Sequence, residues 1–202
     1  MNAEPGVVFG MPSFSLEPPP SPLPAGRAFL RQARFRLRDD YFVKIAAAMS
    51  ELTDDQIWWR PNEASNSAGN LVLHLCGNAR QWIVSGVGGA HDVRDRQAEF
   101  DQRTPLSITS LIDRLEQTIS DVDRVLASLT PADLPTRRRI QANDVSVLEA
   151  IYHVVEHFSM HTGQIILLAK ADQPDRVRFY EMVDGHPRLT AEFHGRTPIH
   201  PR

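Results

Sequence analysis

The sequence predicts an all-α protein, a four-helix bundle with an extended arm at each end, whose long loops leave room for a non-sequential helix order. Three observations carry that prediction. Apolar residues recur at three- and four-residue steps over four long stretches. Serine, threonine, proline and glycine stand where those stretches should begin and end. Val145 and Val147 aside, the β-branched alternation that marks strands is scarce.

Residues 1–25 make the first arm. Pro5, Pro12, Pro18, Pro19, Pro20, Pro22 and Pro24 punctuate a stretch without lysine or arginine, so it lacks the charged start and continuous apolar run of a secretory signal. It reads as an extended or disordered segment, and an over-extended start codon would read the same way. From Gly26 to about Glu51, Phe29, Ala33, Leu37, Tyr41, Ile45, Ala48 and Leu52 follow the helical period, interleaved with Arg31, Arg34, Arg38, Asp39 and Lys44. Thr53-Asp-Asp-Gln56 has the form of a capping box and starts a short helical turn that Pro61 must end. The polar run 61–67 caps a second long helix, which should reach Gly86, where Gly86, Gly88 and Gly89 break it.

A loop of mixed charge follows, from Asp92 to Arg103. Thr104-Pro105 opens the third helix, with Leu106, Leu111, Leu115, Ile119, Val122 and Leu126 on its buried face, and Thr130-Pro131 closes it. Ser146-Val-Leu-Glu149 is another capping box, and the fourth helix runs from there to about Ala171. The bundle is therefore one domain, residues 26–171, and its long loops permit a non-sequential order. In the second arm, residues 172–202, Phe179, Tyr180, Met182, Val183 and Phe193 are too apolar to remain in solvent, so an irregular segment packed on the bundle or on a partner subunit is expected. Asp184-Gly185 suits a tight turn, whereas Pro187 argues against a regular hairpin beyond it.

Chemistry is concentrated in two of the helices. His153, His157 and His161 stand at four-residue intervals, so a helix stacks them in one slowly drifting stripe. An i,i+4 histidine pair points two rings at a common point, as in HExxH metalloproteases, although the glutamate of that motif is missing here. Asn70, His74, Asn78 and Gln81 repeat the spacing of His153, His157, His161 and Gln164. Solvent faces normally hold Lys, Arg and Glu, whereas these stripes hold Asn, His and Gln, types suited to metal ligands and the groups that orient them. Packed along their apolar arcs, the two helices could complete a three-histidine site from His74 and two histidines of the later helix.

Other residues receive blander readings. Cys76 is the only cysteine, so no internal disulfide can form and a reducing cytoplasm is the expected compartment. It lies on the far side of its helix from His74 and reads as a small buried hydrophobe. Arg137-Arg-Arg139 reads as a solvated loop, with capture of an anion as the alternative. Trp58, Trp59 and Trp82 suit either core or a pocket wall, and Glu156, about 100° around the helix from His157, reads as a solvent-facing charge. The chain has 202 residues, 42% hydrophobic and 23% charged, with a formal net charge of -3 and no long basic run, so nothing marks a nucleic-acid binder. No run approaches the roughly 20 apolar residues that span a bilayer.

The segments Trp58–Ser67, Gly69–Trp82 and His153–Gln164 resemble the DinB/YfiT-like metalloenzymes, in particular a bacterial subgroup of unassigned function. The resemblance covers roughly Arg27 to Lys170. It implies a homodimeric four-helix bundle that binds one divalent transition metal, Zn or Ni, through His74, His157 and His161. His153, Asn70, Asn78, Gln81 and Gln164 would then orient the ligand rings or a substrate. Many relatives have Arg where Thr162 stands, a departure beside the site and outside the ligand set. Related branches resemble thiol transferases, which implies a low-molecular-weight thiol as co-substrate and a small-molecule substrate. The expected function is a metal-dependent thiol transferase or hydrolase; the alternatives are a metal- or ligand-binding stress protein without turnover and a dimerisation module with a vestigial site.

Overall fold

The computed structural model describes residues 23–172 and 177–189. Most of the Pro-rich arm and the last part of the second arm lie outside these residues. The first long helix is α1 (Ala25–Phe35), a π-helical stretch (Arg36–Tyr41) and α2 (Phe42–Ser50) in unbroken succession. The second is α3 (Ala68–Ala79), which passes into a π-helical stretch (Arg80–Val87). A short helix α4 (Arg96–Asp101) precedes the third, α5 (Ile108–Ser128), and the fourth is α6 (Val147–Asp172).

The α1–α2 rod packs against α5 and α6, and α3 packs against the same two helices. The first and second long helices are thus diagonal to each other, which is the non-sequential order expected. Leu37, Ile45, Met49, Leu75, Ile83, Leu111, Leu115, Leu126, Ile151, Phe158 and Ile165 fill the interior they share. Paired guanidinium N–H groups of Arg34 donate to Asp123 at 2.7 and 2.9 Å and tie α1 to α5.

Both capping boxes form. Thr53 N–H donates to Gln56 Oε1 at 2.7 Å, and Ser146 N–H to Glu149 Oε2 at 2.6 Å. The third helix starts later than Thr104-Pro105 suggests, because Ser107 provides the side chain that accepts from Ser110 N–H.

Two short hairpins accompany the helices. Strand β1 (Arg137–Ile140) pairs antiparallel with β2 (Asn143–Ser146), so the arginine triplet lies in a hairpin and not in an irregular loop. Its turn residue Gln141 has φ 51, and nothing in its sequence alternates as a strand should. Strand β3 (Tyr180–Val183) pairs with β4 (His186–Leu189) in the second arm, around Asp184 (φ 51) and Gly185 (φ 76). That two-residue turn closes on Val183 opposite His186, so the next pair, Met182 and Pro187, exchanges no backbone hydrogen bonds. Pro187 therefore loses nothing by lacking an N–H, and the regular hairpin it argued against forms. Val177 and Phe179, just ahead of β3, are buried.

Candidate metal centre

Two walls face each other across the site. The first is α6. Ile151, Val154, Phe158, Ile165 and Ala169 turn into the core, and the adjoining arc carries His153, His157 and His161, all half-buried. Tyr152, Glu156 and Met160 lie on the outer face, exposed. His161 Nδ1 is 2.6 Å from Gln164 Oε1; an amide oxygen only accepts, so Nδ1 carries the proton and the Nε2 lone pair is free.

The second wall is α3, reached through a buried polar chain. Ser67 caps the helix: its hydroxyl accepts from Asn70 N–H at 3.2 Å. Asn70, fully buried, donates through Nδ2 to the carbonyls of Glu99 (2.8 Å) and Gln102 (3.2 Å). That holds α4 against α3. Asp95 caps α4 by accepting from Ala98 N–H, and Glu99 points inward from it. Glu99 Oε2 is 2.8 Å from His74 Nδ1. Arg94 donates to both oxygens of Glu99, at 2.7 and 2.9 Å. The approach depends on Gly77, one turn along α3 from His74, because a Cβ there would overlap Glu99 Oε1.

Burial works against ionisation of Glu99, but the hydrogen bonds from Arg94 and His74 outweigh it and hold the carboxyl below its usual value. An ionised Glu99 only accepts, so the His74 proton sits on Nδ1 and the Nε2 lone pair faces away from Glu99, toward α6. There it meets His157: the two Nε2 atoms are 2.9 Å apart. The ligand atoms of His74, His157 and His161 all lie within 4.8 Å of one another. Two nitrogens bound to one zinc at ~2.0–2.1 Å stand roughly 3.3 Å apart, so the observed spacings bracket what one cation needs. Protonation is opposed as well. Burial, and after it the neighbouring His161 and His74, push the His157 imidazole down to about 3, and burial lowers His161. Three imidazoles gathered in this way can hold a divalent metal.

Beside them opens a cavity of ≈ 490 Å³, lined by His74, His153 and His157, by Asn78, Trp82 and Arg94, and by residues of α4 and the β1–β2 hairpin. His153 stays out of the triad. Its ring stacks at 5.6 Å on His157 and lies 4.1 Å from Trp82, and its Nε2 is 3.2 Å from Asn78 Nδ2. Gln81, at the start of the π-helical stretch, makes no hydrogen bond to a histidine among the described residues. It accepts instead from Arg94 (2.9 Å) and Gln141 and donates to Asp92 (2.7 Å).

The remaining candidates are ordinary structure. Cys76 is buried, and burial raises its thiol to about 11, so it carries no thiolate near neutral pH. Trp58 packs on Gly69 and donates to Leu106 O at 3.0 Å; Trp59 is exposed; only Trp82 walls the cavity. Arg137 pairs with Asp144 and Glu149. Thr162 is buried.

Glu99, Arg94 and Phe100, whose ring lies 4.7 Å from His74, were not singled out by the sequence. The signals that could have found them are Asp95, a helix cap inside a supposed loop, and Gly77, a helix-interior glycine that costs ~0.5–1 kcal/mol relative to Ala unless something needs the space.

Fold and site together describe a four-helix bundle protein with a three-histidine pocket between α3 and α6. The chain belongs to a family described as "Protein of unknown function (DUF1572)", whose model matches residues 24–184. Its fold is that of DinB-like proteins. A DinB-like protein from Bacillus cereus is 17% identical and superposes with a TM-score of 0.57, over 73% of this chain and 92% of that one. Another from Bacillus subtilis is 18% identical with a TM-score of 0.54, over 70% and 92%. Among curated proteins none matches the chain.

Proposed function

We propose that His74, His157 and His161 hold one divalent transition metal, Zn or Ni, and that the protein is a metal-dependent enzyme of the thiol-transferase or hydrolase type. One observation carries this reading: three imidazoles from two helices bring one ring nitrogen each within 4.8 Å of one another, with Glu99 and Gln164 engaging the far nitrogens of His74 and His161. A cation held by three neutral ligands keeps its full charge and an open position, and so can lower the pKa of a thiol or a water brought to it. The chain's own residues do the rest. Glu99 and Gln164 fix the tautomers of His74 and His161. Trp82, Asn78 and His153 wall the cavity in which a small-molecule substrate would be oriented.

Glu99, at His74, and Glu149, on the cavity lining, are already engaged, Glu99 by Arg94 and His74, and Glu149 by Ser146 and Arg137. That favours activation of a thiol over proton abstraction by a protein base, and it leaves a second reading, a metal- or ligand-binding protein without turnover. A homodimer is proposed on the outer face of α6, where Leu148, Tyr152, Met160 and Leu167 are exposed. No described helix is long and apolar enough to cross a membrane, and with its single cysteine the chain suits a reducing cytoplasm.

Elemental analysis of the purified protein tests the reading: about one Zn or Ni per chain is expected, with strong depletion in His74→Ala. Wild-type metal content in that variant would remove the three-ligand assignment. Turnover of an electrophile with bacillithiol, mycothiol or glutathione, set against water alone, then separates the enzyme from the binding protein.

A further inference from the structure

We infer that the cavity beside the three histidines takes a substrate bearing a carboxylate, and that Arg96 binds it. The inference deepens the metal-centre reading and rests on it for what holds the substrate's other end.

Besides the histidines, the ionisable residues lining the cavity are Arg94, Arg96 and Glu149. Two of them are spent. Arg94 gives Nε and Nη2 to Glu99 and Nη1 to Gln81. Glu149 accepts from Ser146 N–H and Oγ–H and lies 3.3 Å from Arg137. Arg96 has no carboxylate at ion-pair distance among the described residues, and it is exposed. Its position is nevertheless set: the guanidinium carbon lies 4.9 Å from the centre of the Phe100 ring, and that ring lies 4.7 Å from His74. An uncompensated cation therefore stands one ring's width beyond His74.

A neutral or cationic ligand would leave that guanidinium facing an empty charge balance. An anionic one would complete it. A single planar guanidinium matches one carboxylate through two parallel N–H···O bonds. A phosphate, with about two charges and three oxygens, calls for more than one such donor. Gln141 and Asn143, from the β1–β2 hairpin, line the same cavity with neutral amides. The short helix α4 thus does two things: Glu99 orients His74, and Arg96, one turn earlier, selects what lies beside the histidines.

The test uses two small hydroxamates with the same metal-binding head, succinic monohydroxamate with a carboxylate tail and butyrohydroxamate with a neutral one. Each is titrated by calorimetry into the Zn-loaded protein. The carboxylate-tailed probe should bind at least about tenfold more tightly to the wild type. That preference should vanish in Arg96→Gln, at unchanged metal content, and return in part in Arg96→Lys, which keeps the charge and so separates it from packing on Phe100. Equal affinities in the wild type, or a preference that survives Arg96→Gln, would overturn the inference. A phosphonate-tailed analogue that binds more tightly than the carboxylate would overturn the choice of carboxylate. If the wild type takes up no metal, the metal reading fails by itself. Succinate titrated into the metal-free protein then decides: saturable binding lost in Arg96→Gln supports the role of Arg96, and its absence in the wild type rejects it.

Discussion

The two walls of the site are built on different principles. On α6 the histidines are a product of periodicity: one helix, four-residue steps, half-buried rings, and an exposed glutamine hydrogen-bonded to His161. On α3 the single histidine is almost fully buried, and it is held by a carboxylate 25 residues further along the chain, itself clamped by a buried arginine. One wall supplies ligands; the other supplies rigidity. The α6 wall should tolerate loss of its supporting groups because water can replace them, whereas the α3 wall should not.

The largest effect should come from the ligand pair on α6. His157→Ala removes the imidazole whose Nε2 stands 2.9 Å from that of His74 and should abolish metal binding. His153→Ala removes only a ring stacked behind His157 and should leave stoichiometry at about one, changing affinity by roughly 10–100-fold at most. Metal analysis of the two variants checks this. The opposite pattern would place the ligands one helical turn earlier.

Next is the clamp. The side chains of Arg94 and Glu99 are 4% and 9% exposed, so Glu99→Ala would strand a buried guanidinium. That kind of loss costs about 3–5 kcal/mol, and at ~2–4 °C per kcal/mol the thermal midpoint of the metal-free protein should fall by about 6–20 °C. Replacing both partners together, Arg94→Met with Glu99→Leu, should recover much of it, because no charge is then left buried. A single variant as stable as the wild type would show that the clamp is not what makes this wall rigid.

The same contrast decides what could be read from the sequence. The core faces of the four long helices, both capping boxes and the two histidine-bearing stripes were legible, because helical period and capping chemistry are local rules that packing here reinforces; which two histidines of α6 join His74 was implied only by the family resemblance. The α4 segment was not. Six residues are too few to show a period, and the pairing of Glu99 with His74 is a tertiary contact that no local rule encodes. The β1–β2 hairpin hid for a related reason: Arg137-Arg-Arg-Ile140 lacks strand alternation, and its turn places a glutamine at positive φ where glycine or asparagine would have given the signal. The bond from Arg94 to Gln81 is likewise a tertiary contact that no helical period shows.

The walls should also part company with pH in the metal-free protein. His157 is depressed to about 3 in the fold, so below about 6.5 the unfolded chain takes up a proton that the folded one refuses. Stability from that histidine is complete above about pH 6.5 and drains away as pH falls toward 3. His153 and His161, lowered by burial, act in the same direction. Glu99 is lowered too, and for a carboxylate this means stability present above its ordinary value of 4.5 and lost only below that, as pH falls through its folded-state pKa. Denaturant melts at successive pH values should therefore show His157→Gln flattening the loss between about pH 6.5 and 4.5, with Glu99→Gln changing the profile only below that window. A Glu99→Gln profile that differs near pH 6 would mean the carboxyl is not held ionised by Arg94 and His74.

The smallest effect belongs to Gln164. Its Oε1 fixes the His161 tautomer at 2.6 Å, as Glu99 fixes that of His74 at 2.8 Å, so hydrogen-bond length alone would rank the two alike. Their surroundings differ. Gln164 is exposed and neutral, and in Gln164→Ala a water can take the His161 Nδ1 proton. Glu99 is buried and charged, and nothing can stand in for it. Gln164→Ala should therefore weaken metal binding by less than about tenfold and leave the thermal midpoint within about 1–2 °C, as for most surface substitutions, whereas loss of the Glu99 carboxylate falls in the upper part of the 10–100-fold range seen for groups that orient metal-ligating histidines. Competition titration against a zinc chelator measures both on one scale. Equal losses would show that the two walls are alike after all, and that burial plays no part in how firmly each ring is held.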